Sequence, residues 1–236
     1  VLAIEYIKAL TKLDASIKPF AVQRQCVMHD SLSPKEMFAS ASFIRKSVSE
    51  GDPSYLDYIP RSTAQLLTRR IQEGRTADIR RLERPLLYRL RMMTPEELLE
   101  LPDVNQSLQN RIYAARNANS LDELLGAVKA KCYTMSRIRR ILMAALIGIR
   151  KVDQKYYPPY ARVIAFNERG RELLGIAKQK SSIQIGTSLA KLSETGRLSE
   201  RFVQLEEHAT NVYGLAVEDM FSAEQDFRAK IIPEVL

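Results

Sequence analysis

The 236-residue chain has only two cysteines and two histidines. Cys26 and Cys132 lie far apart, which gives neither a disulfide framework nor metal-ligand spacing; a reducing cytoplasm is the simplest setting. His29 and His208 are equally distant, so the pattern offers no Ser/His/Asp arrangement and no metal cluster. His29 precedes Asp30 in a loop, a pairing more often structural than catalytic. His208 follows Glu206 and Glu207 on an acidic helix and reads as a surface residue. Long apolar runs are missing too. The longest, Ile141 to Ile149, falls well short of the roughly 20 residues that cross a bilayer, so no membrane partner is expected. No signal peptide, internal repeat or low-complexity run is visible.

What is present is ordinary hydrophobic content, 45%, and a net charge of +8. The length allows one large or two small domains. The basic balance favours a polyanionic partner without naming one.

The stretch Phe38-Ala-Ser-Ala-Ser-Phe-Ile-Arg-Lys46 carries the most information. Ser40 and Ser42 stand at the start of a helix, whose free N–H groups and positive dipole end suit a phosphate. Small side chains let it approach, and Arg45 lies one turn on to neutralise charge on a triphosphate or departing pyrophosphate. The blander reading is an ordinary serine cap.

The order of segments adds to this. A helix with Ile4, Ile7, Leu10 and Leu13 as a buried stripe comes first. A strand follows, Phe20-Ala-Val-Gln-Arg-Gln25, with Phe20, Val22 and Arg24 on one face. Then come His29-Asp30, the turn or capping box Ser33-Pro-Lys-Glu36, and the serine motif. This order resembles the end of an HxGH-type adenylyltransferase domain, where a motif I-S-S-T-x-I-R closes the ATP site. Ala41 and Ser42 stand where serine and threonine are usual there, which keeps small size but puts one hydroxyl contact in question. More closely, the first helix, the VQR and HD segments, SASFIRK, Lys131-Cys-Tyr-Thr-Met-Ser-Arg-Ile-Arg-Arg140 and Pro158-Pro-Tyr-Ala-Arg-Val-Ile-Ala-Phe-Asn-Glu-Arg-Gly-Arg-Glu172 resemble the bacterial tRNA(Met) cytidine acetate ligases. The likeness thins after about Val217. The HxGH motif and the Gly-rich first turn of that family are not in this sequence, which begins at Val1 inside an amphipathic pattern. The chain is therefore expected to be the C-terminal part of such an enzyme.

The expected fold is mainly α with minor α/β. Residues 1–57 complete a Rossmann-like nucleotidyltransferase domain, and residues 58–151 form a bundle of about five short helices. Residues 152–236 form a small α/β region. Thr94-Pro-Glu-Glu97 and Ser120-Leu-Asp-Glu123 match helix starts. Glu50-Gly-Asp-Pro-Ser54 reads as a linker or turn. Strand Arg162–Phe166, helix Asn167–Lys180 and strand Ile183–Gly186 suit a parallel β-α-β unit. A further helix is expected near Ser199 to Ala216.

The resemblance implies that Arg24 meets the adenylate with Gln25 beside it, and that Ser40, Ser42 and Arg45 complete the ATP site, with Mg2+ arriving on ATP rather than held in a protein cage. Two basic concentrations are candidates for phosphate contacts to RNA. One comprises Lys129, Lys131, Arg137, Arg139 and Arg140, with Arg137 and Arg140 largely opposite the apolar face of their helix and Arg139 at its border. The other runs from Arg69 to Arg91. Either is also readable as a solvated charged face. Tyr113 and Tyr133 are candidates to stack on an unpaired base, though burial is the commoner fate. The family activity so implied is ATP activation of acetate as acetyl-adenylate, then acetylation of N4 of the wobble cytidine of elongator tRNA(Met). Lacking the HxGH histidines, the chain alone is expected to bind tRNA without catalysis. The alternatives are an HxGH nucleotidyltransferase acting on a small metabolite, and a non-catalytic helical RNA-binding module.

Overall fold

The computed structural model describes residues 2–23, 26–28 and 30–229, and the backbone of 232–233. It is mostly helical with short parallel strand pairs. The chain divides into two compact units, Val1–Arg69 and Arg70–Leu236.

In the first unit, α1 (Leu2–Lys12) forms where the helical period predicts it, yet it buries no residue. Ile4, Ile7 and Leu13 are 56%, 52% and 75% exposed, so the expected buried stripe faces outward. The expected strand is not formed by residues 20–23, and Phe20 and Val22 are almost fully exposed; Arg24 and Gln25 lie outside the described residues. The physical reason is common to both: a stripe needs a facing surface, and a strand needs a neighbour for its N–H and C=O groups. The described residues supply neither here.

Ser33–Glu36 resolves as a turn, not a capping box. Lys35 and Phe38 exchange main-chain hydrogen bonds of 2.9 and 3.1 Å across it. Then α2 (Ala41–Glu50) begins at the N-cap Ser40 and stops at Gly51, whose φ of 71° a Cβ would strain. Asp52 caps a 3₁₀ turn, Pro53–Tyr58, which folds back so that Phe43 and Tyr58 meet edge to face at 5.7 Å. The Glu50–Ser54 stretch is thus two caps in succession. Next, α3 (Arg61–Gln72) buries no residue.

The second unit holds the main core. Its helices are α4 (Glu83–Met92), α5 (Pro95–Leu99), α6 (Gln106–Ala115), α7 (Leu121–Val128) and α8 (Met135–Ile147). Thr94 and Glu97 form a full capping box at α5, as their spacing predicts. Ser120 caps α7, while Glu123 reaches one residue further back, to the Asn119 N–H at 2.8 Å. Pro85 falls in the first turn of α4, where a missing N–H costs no helical bond. Leu86, Leu90, Leu98, Ile112, Leu124, Ile138 and Leu142 are fully buried among these helices.

Beyond the bundle the chain forms β1 (Tyr160–Arg162), β2 (Ala165–Phe166), α9 (Glu168–Lys180) and β3 (Gln184–Gly186). β1 and β3 run parallel, with Tyr160 opposite Gln184 and Arg162 opposite Gly186. The β-α-β unit is therefore present, but the single strand expected over 162–166 is two. The Val163 N–H still bonds the Gly186 carbonyl at 2.8 Å. There β3 ends, and the chain turns to pair β2 with β4 (Ile232–Pro233). α10 (Leu189–Ser193), α11 (Arg197–Ala216) and α12 (Gln225–Arg228) complete the unit. Leu189, Leu192, Tyr160 and Val203 form a second small core. α11 belongs to both cores, Val203 to this one and Val212 and Ala216 to the bundle.

Candidate functional site

In the first unit, the candidates gather at the start of α2. Ser40 is fully buried. Its Oγ accepts from the Phe43 N–H at 3.0 Å and donates its single proton to the Ser31 carbonyl. So Ser40 ties the preceding loop to the helix end, and its hydroxyl hydrogen is already used. Ser42 is half-buried and Arg45 exposed, and Arg45 Nη2 donates to Ser42 Oγ at 3.4 Å. No acidic side chain lies in this first turn. The N–H groups of Ala41 and Ser42 precede the intrahelical ladder and face outward as donors. The arrangement offers main-chain donors, one hydroxyl and one guanidinium to an anion. Arg24, Gln25 and His29 lie outside the described residues.

In the second unit the two basic concentrations differ sharply. From Arg70 to Arg91, most arginines are already engaged. Arg70 pairs with Glu73, Arg75 with Asp219, Arg80 with Asp78 and Arg81 with Glu218. Arg89 donates to the Ala145 carbonyl and Arg91 to the Ala118 carbonyl, which stitches α4 to its neighbours.

The other concentration surrounds the turn from α7 into α8. Ala130 and Tyr133 close that turn by an isolated bridge. Lys129, Lys131 and Arg139 are exposed, and their side chains carry no hydrogen bond or ion pair to any described residue. Arg137 and Arg140 are not free. Arg137 Nη2 and Nε donate to the Asp103 carbonyl at 2.5 and 3.2 Å, and Arg140 Nη2 meets Asp103 Oδ2 at 3.2 Å. The expectation for α8 holds for Arg140, which is exposed, but not for Arg137, which is half-buried over the Tyr133 ring at 5.3 Å, while Arg139 faces solvent. Tyr133 is itself buried, its hydroxyl 3.3 Å from Asn105 Oδ1. Tyr113 is half-buried and has the Arg116 guanidinium 3.5 Å from its ring centre. In this conformation neither ring is bare for a base.

Two residues that the sequence reading passed over matter here. Arg111 bonds the carbonyls of Ala127, Val128 and Lys129 at 2.9 to 3.1 Å, holding the last turn of α7 and the base of the basic loop. Asp103, at φ 61°, receives both Arg137 and Arg140. The signal for Asp103 was its place after Pro102 in a turn, since Asp tolerates the left-handed region. Nothing local marks Arg111.

His208 Nδ1 lies 3.0 Å from the Ile147 carbonyl at the end of α8. Both cysteines are exposed and free. Among the described residues no group of three metal-ligating side chains forms, and no helix is long and apolar enough to cross a membrane.

Residues 1–227 match the family model described as HIGH Nucleotidyl Transferase. A tRNA(Met) cytidine acetate ligase of Thermoanaerobacter pseudethanolicus is 38% identical over 232 residues, covering 96% of this chain and 57% of the relative. One from Caldanaerobacter subterraneus is 36% identical, covering 98% and 58%. The crystal structure of Thermotoga maritima TmcAL bound with alpha-thio ATP superimposes with a TM-score of 0.82 at 25% identity, covering 98% of this chain and 57% of that one. Its apo form gives 0.84, covering 98% and 59%. The chain thus spans three fifths or less of the length of these curated relatives. A match over nearly all its residues, in the fold seen above, shows that the chain belongs to the HIGH nucleotidyl transferase family.

Proposed function

We propose that this chain is the part of an ATP-dependent tRNA(Met) cytidine acetate ligase that closes the ATP site and holds the tRNA. Identity of 36–38% to ligases of that name over nearly the whole chain supports it, and a matching structure bound with alpha-thio ATP supports a nucleotide. In the whole enzyme, acetate and ATP give acetyl-adenylate with loss of pyrophosphate, and the acetyl group passes to the wobble cytidine of elongator tRNA(Met) in the cytoplasm.

The labour divides along the chain. Residues 1–57 close the nucleotide site, with Ser42, Arg45 and the N–H groups of Ala41 and Ser42 meeting phosphate oxygens. Their preorganised charge stabilises pyrophosphate as it departs. Ser40 holds this helix start in place rather than touching ATP. Arg24 and Gln25 keep their proposed place beside the adenylate, and Mg2+ enters on ATP. Residues 58–151 hold the tRNA through Lys129, Lys131 and Arg139, with residues 152–236 supporting them.

The observation that carries the RNA part is the contrast between the two basic concentrations: most arginines from Arg70 to Arg91 have partners within the chain, whereas the side chains of Lys129, Lys131 and Arg139 stand open. The test is a filter-binding titration of elongator and initiator tRNA(Met) at two salt concentrations. Salt-sensitive binding that prefers the elongator is expected, because phosphate contacts release counterions. Absence of binding to either tRNA would remove the RNA role and favour a nucleotidyltransferase with a small-metabolite substrate.

A further inference from the structure

Residues 124–152, which carry the basic loop and α8, contain no Asp or Glu. The first turns of α6 and α8 hold no acid either. The carboxylate that reaches this face comes from outside, from Asp103 in the turn between α5 and α6. Its contacts are of two separable kinds. Arg137 takes the main-chain carbonyl, which any residue at this position would offer. Arg140 takes the carboxylate, in a pair whose side chains are 65% and 46% exposed. The turn needs a residue that accepts φ 61°, and Asn or Gly meets that need without charge. The fold therefore uses the carbonyl and the left-handed backbone but does not require the negative charge. What the charge does is occupy Arg140 on a surface where Lys129, Lys131 and Arg139 stand open.

We propose that Asp103 is a positioning residue that competes with RNA phosphate for Arg140 and so sets how tightly this face holds a polyanion. The inference rests on the RNA role given above to the basic loop. In the free protein Arg140 is held against the α5–α6 turn. A phosphate that reaches the loop must displace the carboxylate before Arg140 can join Lys131 and Arg139. The result is weaker retention of any RNA that does not present a phosphate at that point, which favours a partner of matching shape over an arbitrary polyanion.

The experiment is a titration of elongator tRNA(Met) against the 236-residue chain and its Asp103→Asn, Asp103→Gly, Arg140→Gln and Asp103→Asn/Arg140→Gln variants, at two salt concentrations, with thermal melts of each. Asp103→Asn and Asp103→Gly are expected to tighten binding about two- to fivefold at low salt. The slope of log K against log salt should stay near the wild-type value, because the complex makes the same phosphate contacts, whereas Arg140→Gln should lessen it by about 1. In the Arg140→Gln background the same change should bring no gain, because the two residues act as a unit. A turn that merely lost rigidity would lower the melting temperature without tightening binding. Wild-type binding with no gain in either Asp103 variant overturns the proposal, and so does a gain that survives Arg140→Gln. If the wild type binds no tRNA, the RNA role itself falls and this inference with it.

Discussion

Arg201 of α11 holds Asp153 at two points, Nε to Oδ1 at 3.1 Å and Nη2 to Oδ2 at 2.9 Å, and the same Nη2 donates to the Gly148 carbonyl at 2.7 Å. The Arg150 N–H adds a third bond to Asp153. Burial alone would push the Asp153 carboxyl up, but the Arg201 guanidinium and the Arg150 N–H outweigh it and hold the carboxyl below its ordinary value. A depressed folded value stabilises the protein above the unfolded carboxylate pKa of about 4, and that stability is lost as pH falls through the folded value. Asp153→Asn is expected to lower stability at pH 7 by about 2–3 kcal/mol. It should also remove part of the acid-side decline. Thermal melts of both proteins from pH 7 to pH 3 check this; parallel curves would refute it.

The serines at the start of α2 should separate cleanly. Ser40→Ala removes a buried cap and is expected to destabilise α2 by about 1 kcal/mol, seen as faster hydrogen exchange of its amides. Ser42→Ala should leave exchange unchanged and weaken ATP in the whole enzyme. Equal exchange in both variants would contradict the division of roles.

Arg91 and Arg139 make an opposed pair of tests. Arg91 bonds the Ala118 carbonyl at 2.9 Å, whereas Arg139 has no partner among the described residues. Arg91→Gln should lower the melting temperature and spare tRNA binding. Arg139→Gln should do the reverse, reducing the salt slope by about 1. Reversal of either outcome places the RNA elsewhere.

Gly186 ends β3 against α10. A Cβ there would stand 2.8 Å from Leu192 Cδ2, closer than side chains tolerate. Gly186→Ala is expected to cost about 1–3 kcal/mol by overpacking, measured by denaturant unfolding. A neutral result would mean that Leu192 yields freely.

How far the sequence could be read depended on whether a feature is local. Thr94 with Glu97, Ser120 with Glu123, and the β-α-β run from Tyr160 to Gly186 are specified within a few residues, and each appears. Ile4, Ile7 and Leu13 have helical spacing, but spacing does not provide the surface that would bury them. Phe20–Gln23 has strand composition, but pairing is a property of two segments. Charge was the least readable quantity. Arg91, Arg111 and Arg137 look on paper like Arg139, and only the folded chain brings carbonyls 16 to 34 positions away within their reach. For the same reason Asp103 gave no sign that it would receive two arginines from α8.

α11 enters both cores of the second unit, and its 20 residues span about 30 Å. A rod anchored at each end makes the spacing between the helical bundle and the β-α-β unit a fixed length rather than an adjustable one. Strain applied at β1 reaches the end of α8 through Arg201 and His208 without passing through a loop. The second unit should therefore melt in a single step, and a proline placed midway along α11 would turn that one transition into two.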